Sequence, residues 1–144
     1  MAIANSLLFI VDCEDEGVLI LPIPFIFDIE EVDERTARLR HRVKPDDLRP
    51  GGTVSGPTMF SLADAALFIA ILGAVGNEAL AVTTNMNINF LNKPSADNDL
   101  LADCRLIKVG KKLVIGEVTI YSETVDSPVA HAVGTYSIPS KTPR

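Results

Sequence analysis

The sequence predicts an α+β domain, with one long apolar helix followed by a meander of antiparallel strands. Three observations carry that prediction. Residues 57–75, PTMFSLADAALFIAILGAV, are apolar on nearly every side and hold one charge, Asp64. Downstream, the runs 80–91, 100–109, 113–121 and 129–138 are rich in β-branched and aromatic residues and are separated by turn signals. Upstream, Arg38, Arg40 and Arg42 alternate with Leu39, His41 and Val43, the period of two that marks a half-buried strand.

Taken in order, residues 1–24 form an N-terminal arm to which the pattern assigns no structure. They mix apolar runs (7–11 and 18–23) with an acidic knot at Asp12, Glu14, Asp15 and Glu16 and with Pro22 and Pro24. A single domain is expected over 25–139, with 140–144 as a tail. Residues 25–32 read as a strand, Asp33 and Glu34 as a turn, and 35–43 as a second strand. Its arginines suit a solvated face, and a phosphate contact is the other reading. Residues 44–56, KPDDLRPGGTVSG, are a loop by their Pro, Gly and Asp content. Gly56-Pro57 opens the helix, with proline at the first helical position, where a missing N–H costs nothing. Gly73 and Gly76 mark its end. Gly110-Lys111 turns the second downstream strand into the third, and Asp126-Ser127-Pro128 turns the third into the fourth.

Composition removes several function classes. With 144 residues there is room for one core and no separate cofactor domain. Thirteen Lys and Arg against 19 Asp and Glu give a net charge of −6, which opposes general nucleic-acid binding. Trp is absent, so platforms for stacking bases are scarce. Cys13, Cys104, His41 and His131 stand apart in sequence, so no metal site is expected, and both cysteines read as small buried apolar residues. The helical run would be about 28 Å long, near the lower limit for a membrane span. Asp64 near its middle would cost about 3 kcal/mol in lipid, so no membrane role is expected. Without a basic leader at the N-terminus, the expected location is cytoplasmic.

Four blocks, GGTVSGPTMFSLADAAL, AVTTNMNINFLNKP, VGKKLVIGEVTIYSE and PVAHAVGTYSIP, occur in an order and spacing that resemble the hotdog-fold acyl-CoA thioesterases of the phenylacetate-pathway (PaaI-like) type. The match covers about residues 25–139. The resemblance implies a central helix wrapped by a curved antiparallel sheet. It also implies subunits joined edge to edge as homodimers, dimers of dimers as homotetramers, and active sites at the dimer seam. No cofactor is implied beyond the coenzyme A of the acyl-CoA substrate. The family motif Gly-x-x-His-Gly-Gly, followed by a helix carboxylate, falls on Ser55 at the His, Gly56 and Pro57 at the paired glycines, and Asp64 at the carboxylate. An Asn that often lies six residues before the His falls on Arg49, and a water-holding hydroxyl on the next strand falls on Thr83.

Thioester hydrolysis needs a donor for the developing oxyanion and a base or nucleophile near the carbonyl carbon. Gly56 suits the first role, because its N–H lies at a helix N-terminus and it has no side chain to obstruct substrate. Asp64 suits the second, as a lone carboxylate on an apolar helix face. On the residues alone, a structural acid bonding a neighbouring loop is an equal reading of it. Ser55 can donate a hydrogen bond to a thioester or orient the loop, but it is no acid or base near neutral pH. Gly56 and Asp64 are separated by a rise of about 12 Å, too far to act on one carbonyl. A shared site would take one residue from each subunit.

Thr83, Asn85, Asn87 and Asn89 alternate with Thr84, Met86, Ile88 and Phe90, so strand periodicity puts the first set on one face. That face either pairs across a dimer seam or is solvated. Arg49 either steers an anionic group or forms a surface ion pair. Lys108, Lys111 and Lys112 around Gly110 either dock CoA phosphates or are an ordinary hairpin tip. Phe60, Leu62 and Phe68 are candidates to line an acyl pocket. The expected activity is hydrolysis of a small or aromatic acyl-CoA, with Asp64, Gly56, Thr83 and Ser55 at the reacting centre. Arg49, Pro57, Lys108, Gly110, Lys111 and Lys112 would contact substrate. The alternative is a hotdog protein that binds acyl-CoA without turning it over.

Overall fold

The apolar run becomes the helix around which everything else is laid. A computed structural model describes residues 2–5, 8–13, 17–21, 27–76 and 80–139, with side chains from Phe27 onward. In chain order the elements are β1 (Ala2–Asn5), β2 (Leu8–Cys13), β3 (Gly17–Leu21), β4 (Phe27–Val32), β5 (Thr36–His41), β6 (Leu48–Arg49), β7 (Thr53–Val54), α1 (Gly56–Val75), β8 (Val82–Phe90), β9 (Leu100–Val109), β10 (Leu113–Ser122) and β11 (Pro128–Ser137). The main sheet has six strands in the order β4-β5-β9-β10-β11-β8, every neighbouring pair antiparallel. The expected α+β architecture is therefore present, with one long helix against a six-stranded antiparallel sheet.

Ser55 caps α1 with its side-chain oxygen accepting the Thr58 N–H, and the helix begins at Gly56, one residue earlier than the reading from proline. It ends at Gly76, whose φ of 87° suits glycine and whose N–H closes onto the Leu72 carbonyl at 3.0 Å. Leu62, Ala63, Ala66, Leu67, Ile69 and Ala70 are fully buried, against Leu39, Leu100, Ala102, Val114 and Ile120 from the sheet. Leu67 sits over two glycines. A methyl placed on Gly116 or Gly134 would lie 2.5 or 2.6 Å from its terminal carbons, so both glycines let the helix approach the sheet closely.

The downstream strands lie where the pattern put them, but one turn does not. The β10–β11 connection turns at Glu123 and Thr124, not at 126–128, with the Val125 N–H donating to the Ser122 carbonyl at 3.0 Å and Thr124 at φ 73°. Pro128 opens β11 instead. The 44–56 loop also carries more structure than its composition suggested. It holds a 3-10 turn over Pro45–Asp47 and the β6–β7 hairpin, which Gly51 and Gly52 close at positive φ. Backbone pairing joins β1, β2 and β3 into a small antiparallel sheet within the N-terminal arm. Phe25, Ile26 and the Cys13 side chain lie outside the described residues, while Cys104 is buried as expected.

The arginines of β5, and Arg42 just after it, are ion-paired. Arg38 holds Asp103 through two bonds of 2.5 and 3.0 Å. Arg40 reaches Glu30, Asp99 and Glu123, and Arg42 reaches Asp28. Each of the three therefore has at least one carboxylate partner.

Candidate active site

Two groups of side chains meet the needs of acyl transfer, and α1 carries one at its start and the other two turns on. At the start, Ser55 Oγ takes the Thr58 N–H at 3.3 Å, the Ser55 carbonyl takes the Met59 N–H at 3.3 Å, and Pro57 has no N–H to give. Among the described residues that leaves the Gly56 N–H without an acceptor, at the positive end of the helix dipole. The Phe90 ring packs beside it, 3.2 Å from where a methyl on Gly56 would sit.

The loop behind this turn is fastened to a histidine. Asp47 accepts the Ser55 N–H on its carbonyl at 2.8 Å, the Lys44 N–H on Oδ2 at 2.8 Å and the Thr58 hydroxyl on Oδ1 at 3.4 Å. Its Oδ2 also lies 2.7 Å from Nε2 of His41, which is 1 % exposed and meets the Phe27 ring edge-on. A histidine therefore does reach this region, but it comes from β5 and sits behind the loop. Ser55 itself caps the helix and orients the loop, which is one of the two roles open to it from sequence.

Asp64 is the centre of the second group. It was expected to stand alone on an apolar face, but the structure gives it two hydroxyl donors. Thr83 Oγ1 and the Tyr136 hydroxyl each donate to its Oδ1 at 2.7 Å. Among the described residues nothing donates to Oδ2. Tyr136 is 4 % exposed and stacks on Phe68 with ring centroids 6.1 Å apart. Burial pushes its phenol well above the ordinary range, so it stays protonated and can only donate toward a carboxylate. Tyr136 did not emerge from sequence reasoning. The available signal was its place on the inward parity of β11 with Ala132 and Gly134, where a tyrosine needs a polar partner for its tip.

Thr83 reaches Asp64 because β8 is irregular. Tyr136 pairs with Thr83 and Thr135 with Asn85, so Thr84 is an extra residue between them. Strand periodicity had put Thr83 on one face with Asn85, Asn87 and Asn89. The bulge reverses that parity: Thr83 faces the helix at Asp64, and Phe90 faces it at Gly56. The asparagines are exposed, and β8 is one of the two outer strands of the sheet.

Gly56 and Asp64 are not brought together within the chain. Gly56 abuts Phe90 at one end of β8, and Asp64 bonds Thr83 at the other. Phe60, Asp64 and Phe68 share one helix face at successive turns, Phe60 39 % exposed, whereas Leu62 belongs to the core. Arg49 and Pro57 are exposed beside the helix start. Lys108, Lys111 and Lys112 are exposed around the β9–β10 turn, which Gly110 closes by donating to the Leu113 carbonyl at 2.9 Å. Among the described residues neither Arg49 nor these lysines has an ion-pair partner, and no cluster of His, Cys, Asp and Glu could hold a metal.

A profile of the thioesterase superfamily matches residues 51–129, which include Gly56, Asp64 and Thr83. A candidate thioesterase of Silicibacter sp. TM1040 is 45% identical over 79% of each chain, with a TM-score of 0.73. The PaaI protein of the E. coli phenylacetic acid degradation operon is 26% identical over 81% of each chain, with a TM-score of 0.73. A hypothetical thioesterase of Streptococcus pneumoniae TIGR4, solved with coenzyme A, shares the fold at 19% identity, a TM-score of 0.72, and coverage of 78% of this chain and 85% of its own. With the superfamily profile spanning more than half the chain and its helix, sheet and carboxylate laid out as described, the protein belongs to the thioesterase superfamily and is a thioester hydrolase of the hotdog fold, of the PaaI-like type.

Proposed function

We propose that the protein hydrolyses small or aromatic acyl-CoA thioesters at a site shared between the two subunits of a homodimer. The observation that carries this reading is the state of Asp64. One of its oxygens is held by two hydroxyls and the other receives no donor from the described residues, on a helix face bracketed by Phe60 and Phe68. Thr83 spends its one hydrogen on Asp64, so its oxygen remains an acceptor. A water that gives one hydrogen to Asp64 Oδ2 and the other to Thr83 Oγ1 would present its lone pair to a thioester carbonyl. Asp64 takes the proton as water adds to carbon, the oxyanion rests on a Gly56 N–H, and the C–S bond breaks. The departing thiolate takes that proton from Asp64, which restores the carboxylate and gives the carboxylic acid and CoA thiol.

The oxyanion donor comes from the partner. If β8 pairs antiparallel with its own copy about an axis near Met86 and Asn87, Thr83 lies beside the partner subunit's Phe90. Asp64 then lies beside the partner subunit's Gly56. Such pairing would complete the open edge of the sheet and cover apolar surface on Val82, Phe90 and Leu91, each about half exposed or more. The unpaired Arg49 and the Lys108, Lys111 and Lys112 tip lie at opposite ends of the subunit, so the same pairing would bring them toward one site, where they suit the CoA phosphates. Coenzyme A in the S. pneumoniae structure is consistent with that substrate class.

Thiol release should be measured across short-chain, aromatic and long-chain acyl-CoAs with the wild type and Asp64→Asn. Turnover of one class and a loss of about 10²-fold or more in kcat on substitution are expected for a general base. Saturable binding without release, or an unimpaired Asp64→Asn, would overturn the reading.

A further inference from the structure

Tyr136 lies outside the reaction just described, yet its hydroxyl is one of the two groups that hold Asp64. It comes from β11, across the sheet from Thr83 in register, and its oxygen lies 2.7 Å from Asp64 Oδ1 and 3.2 Å from the Asp64 carbonyl. A hydroxyl has one hydrogen, and the carboxylate is the better acceptor, so the hydrogen goes to Oδ1. Thr83 donates to the same oxygen. Two donors from two strands fix the rotation of the carboxylate about its last bond. They also saturate one oxygen and leave the other free to accept.

We propose that Tyr136 is a positioning residue for hydrolysis, locking the Asp64 carboxylate so that Oδ2 alone meets the attacking water. The proposal rests on the reading of Asp64 as the base. It makes the tyrosine hydroxyl, and not only its ring, matter to rate. Its ring stacks on Phe68 and fills the inner face of β11, a role that phenylalanine would keep.

The test is Tyr136→Phe in the full chain, read three ways. With an acyl-CoA that the wild type turns over, kcat is expected to fall about tenfold to a hundredfold, the cost of a misplaced catalytic group, while KM stays near the wild-type value. Site-specific 3,5-difluorotyrosine at 136, which keeps both the ring and the donor, should retain most of the wild-type kcat. Carbon NMR of the Asp64 carboxyl reads the same bond with no substrate present, and its chemical shift at one fixed pH should change in Tyr136→Phe. Wild-type kcat and an unmoved carboxyl signal in Tyr136→Phe, with Asp64→Asn inactive, would overturn the role of Tyr136 and leave the thioesterase reading intact. Should the wild type release no thiol from any acyl-CoA while the carboxyl signal still moves, the acyl-CoA reading fails and the positioning contact stands.

Discussion

Cys104 and Tyr136 show burial acting on two weak acids in the same direction. Cys104 is 3 % exposed on β9, and loss of solvent, with the Glu117 charge as a smaller contribution, pushes its thiol up to about 12. The thiolate is the reactive form, so Cys104 should be inert in the folded protein. Iodoacetamide at pH 8, followed by peptide mapping, is expected to leave Cys104 unmodified in the native state and to label it in urea. Labelling at the rate of a free cysteine would show that the site opens. The linkage has a definite sign. Between the ordinary thiol value of 9.0 and about 12, the folded state keeps a proton that the unfolded chain has lost. Stability contributed by this group is therefore present below pH 9 and falls as pH rises through that window. The hydroxyl of Tyr136 differs in having a purpose for its retained proton, because it points at Asp64.

At the scale of elements, legibility followed burial. α1 and β9 to β11 could be bounded to within a residue or so, because one face of each is buried and the apolar pattern records it. Strand β8 has no such record. It is an outer strand with most of its residues exposed on both faces, so nothing in its composition marked the bulge at Thr84. A single extra residue was enough to transfer Thr83 from the asparagine face to Asp64. The candidate site was legible in part for a related reason. Gly56, Asp64 and Thr83 stood in recognisable blocks, whereas Tyr136 acquires its meaning from a pairing across the sheet that no local pattern encodes. The helix–sheet contact gives a further expectation. Gly134→Ala would place a methyl 2.6 Å from Leu67, a fully buried side chain with little room to move. Overpacking of this kind costs about 1–3 kcal/mol, which urea denaturation would resolve. Leu67→Ala should also destabilise, by leaving a cavity. The double variant should be more stable than the two separate losses predict, because the added methyl enters space that Leu67 vacated. Additive losses would mean that the helix does not press on Gly134.

The whole molecule poses the question that its size first raised, how one small domain assembles a complete site. Gly56, the proposed donor, and Asp64, the proposed base, are held toward opposite ends of β8, and in the proposed homodimer a two-fold axis across that strand would exchange the ends. Complementation between two inactive variants tests this directly. Asp64→Asn removes the base. Gly56→Pro removes the donor N–H: Ser55 is already extended at φ −72° and ψ 153° and the Gly56 N–H is not used within the helix, but the new ring presses on Phe90, 3.2 Å from the added carbon, so circular dichroism first checks that this variant folds. Each homodimer would then be defective at both of its sites. In a mixed dimer one site combines the intact Gly56 of one chain with the intact Asp64 of the other, while the second site carries both lesions. Random re-pairing makes half the dimers mixed, so an equal mixture should recover about a quarter of wild-type activity after exchange through mild denaturant. A site built within one chain would behave otherwise, because every site in every mixed dimer would keep its own lesion and the mixture would stay inactive. Light scattering on the same samples separates a failure to pair from a failure to complement. A dimeric but inactive mixture would place Gly56 and Asp64 in separate roles, whereas recovered turnover would place the reacting carbonyl at the seam between two copies of this chain.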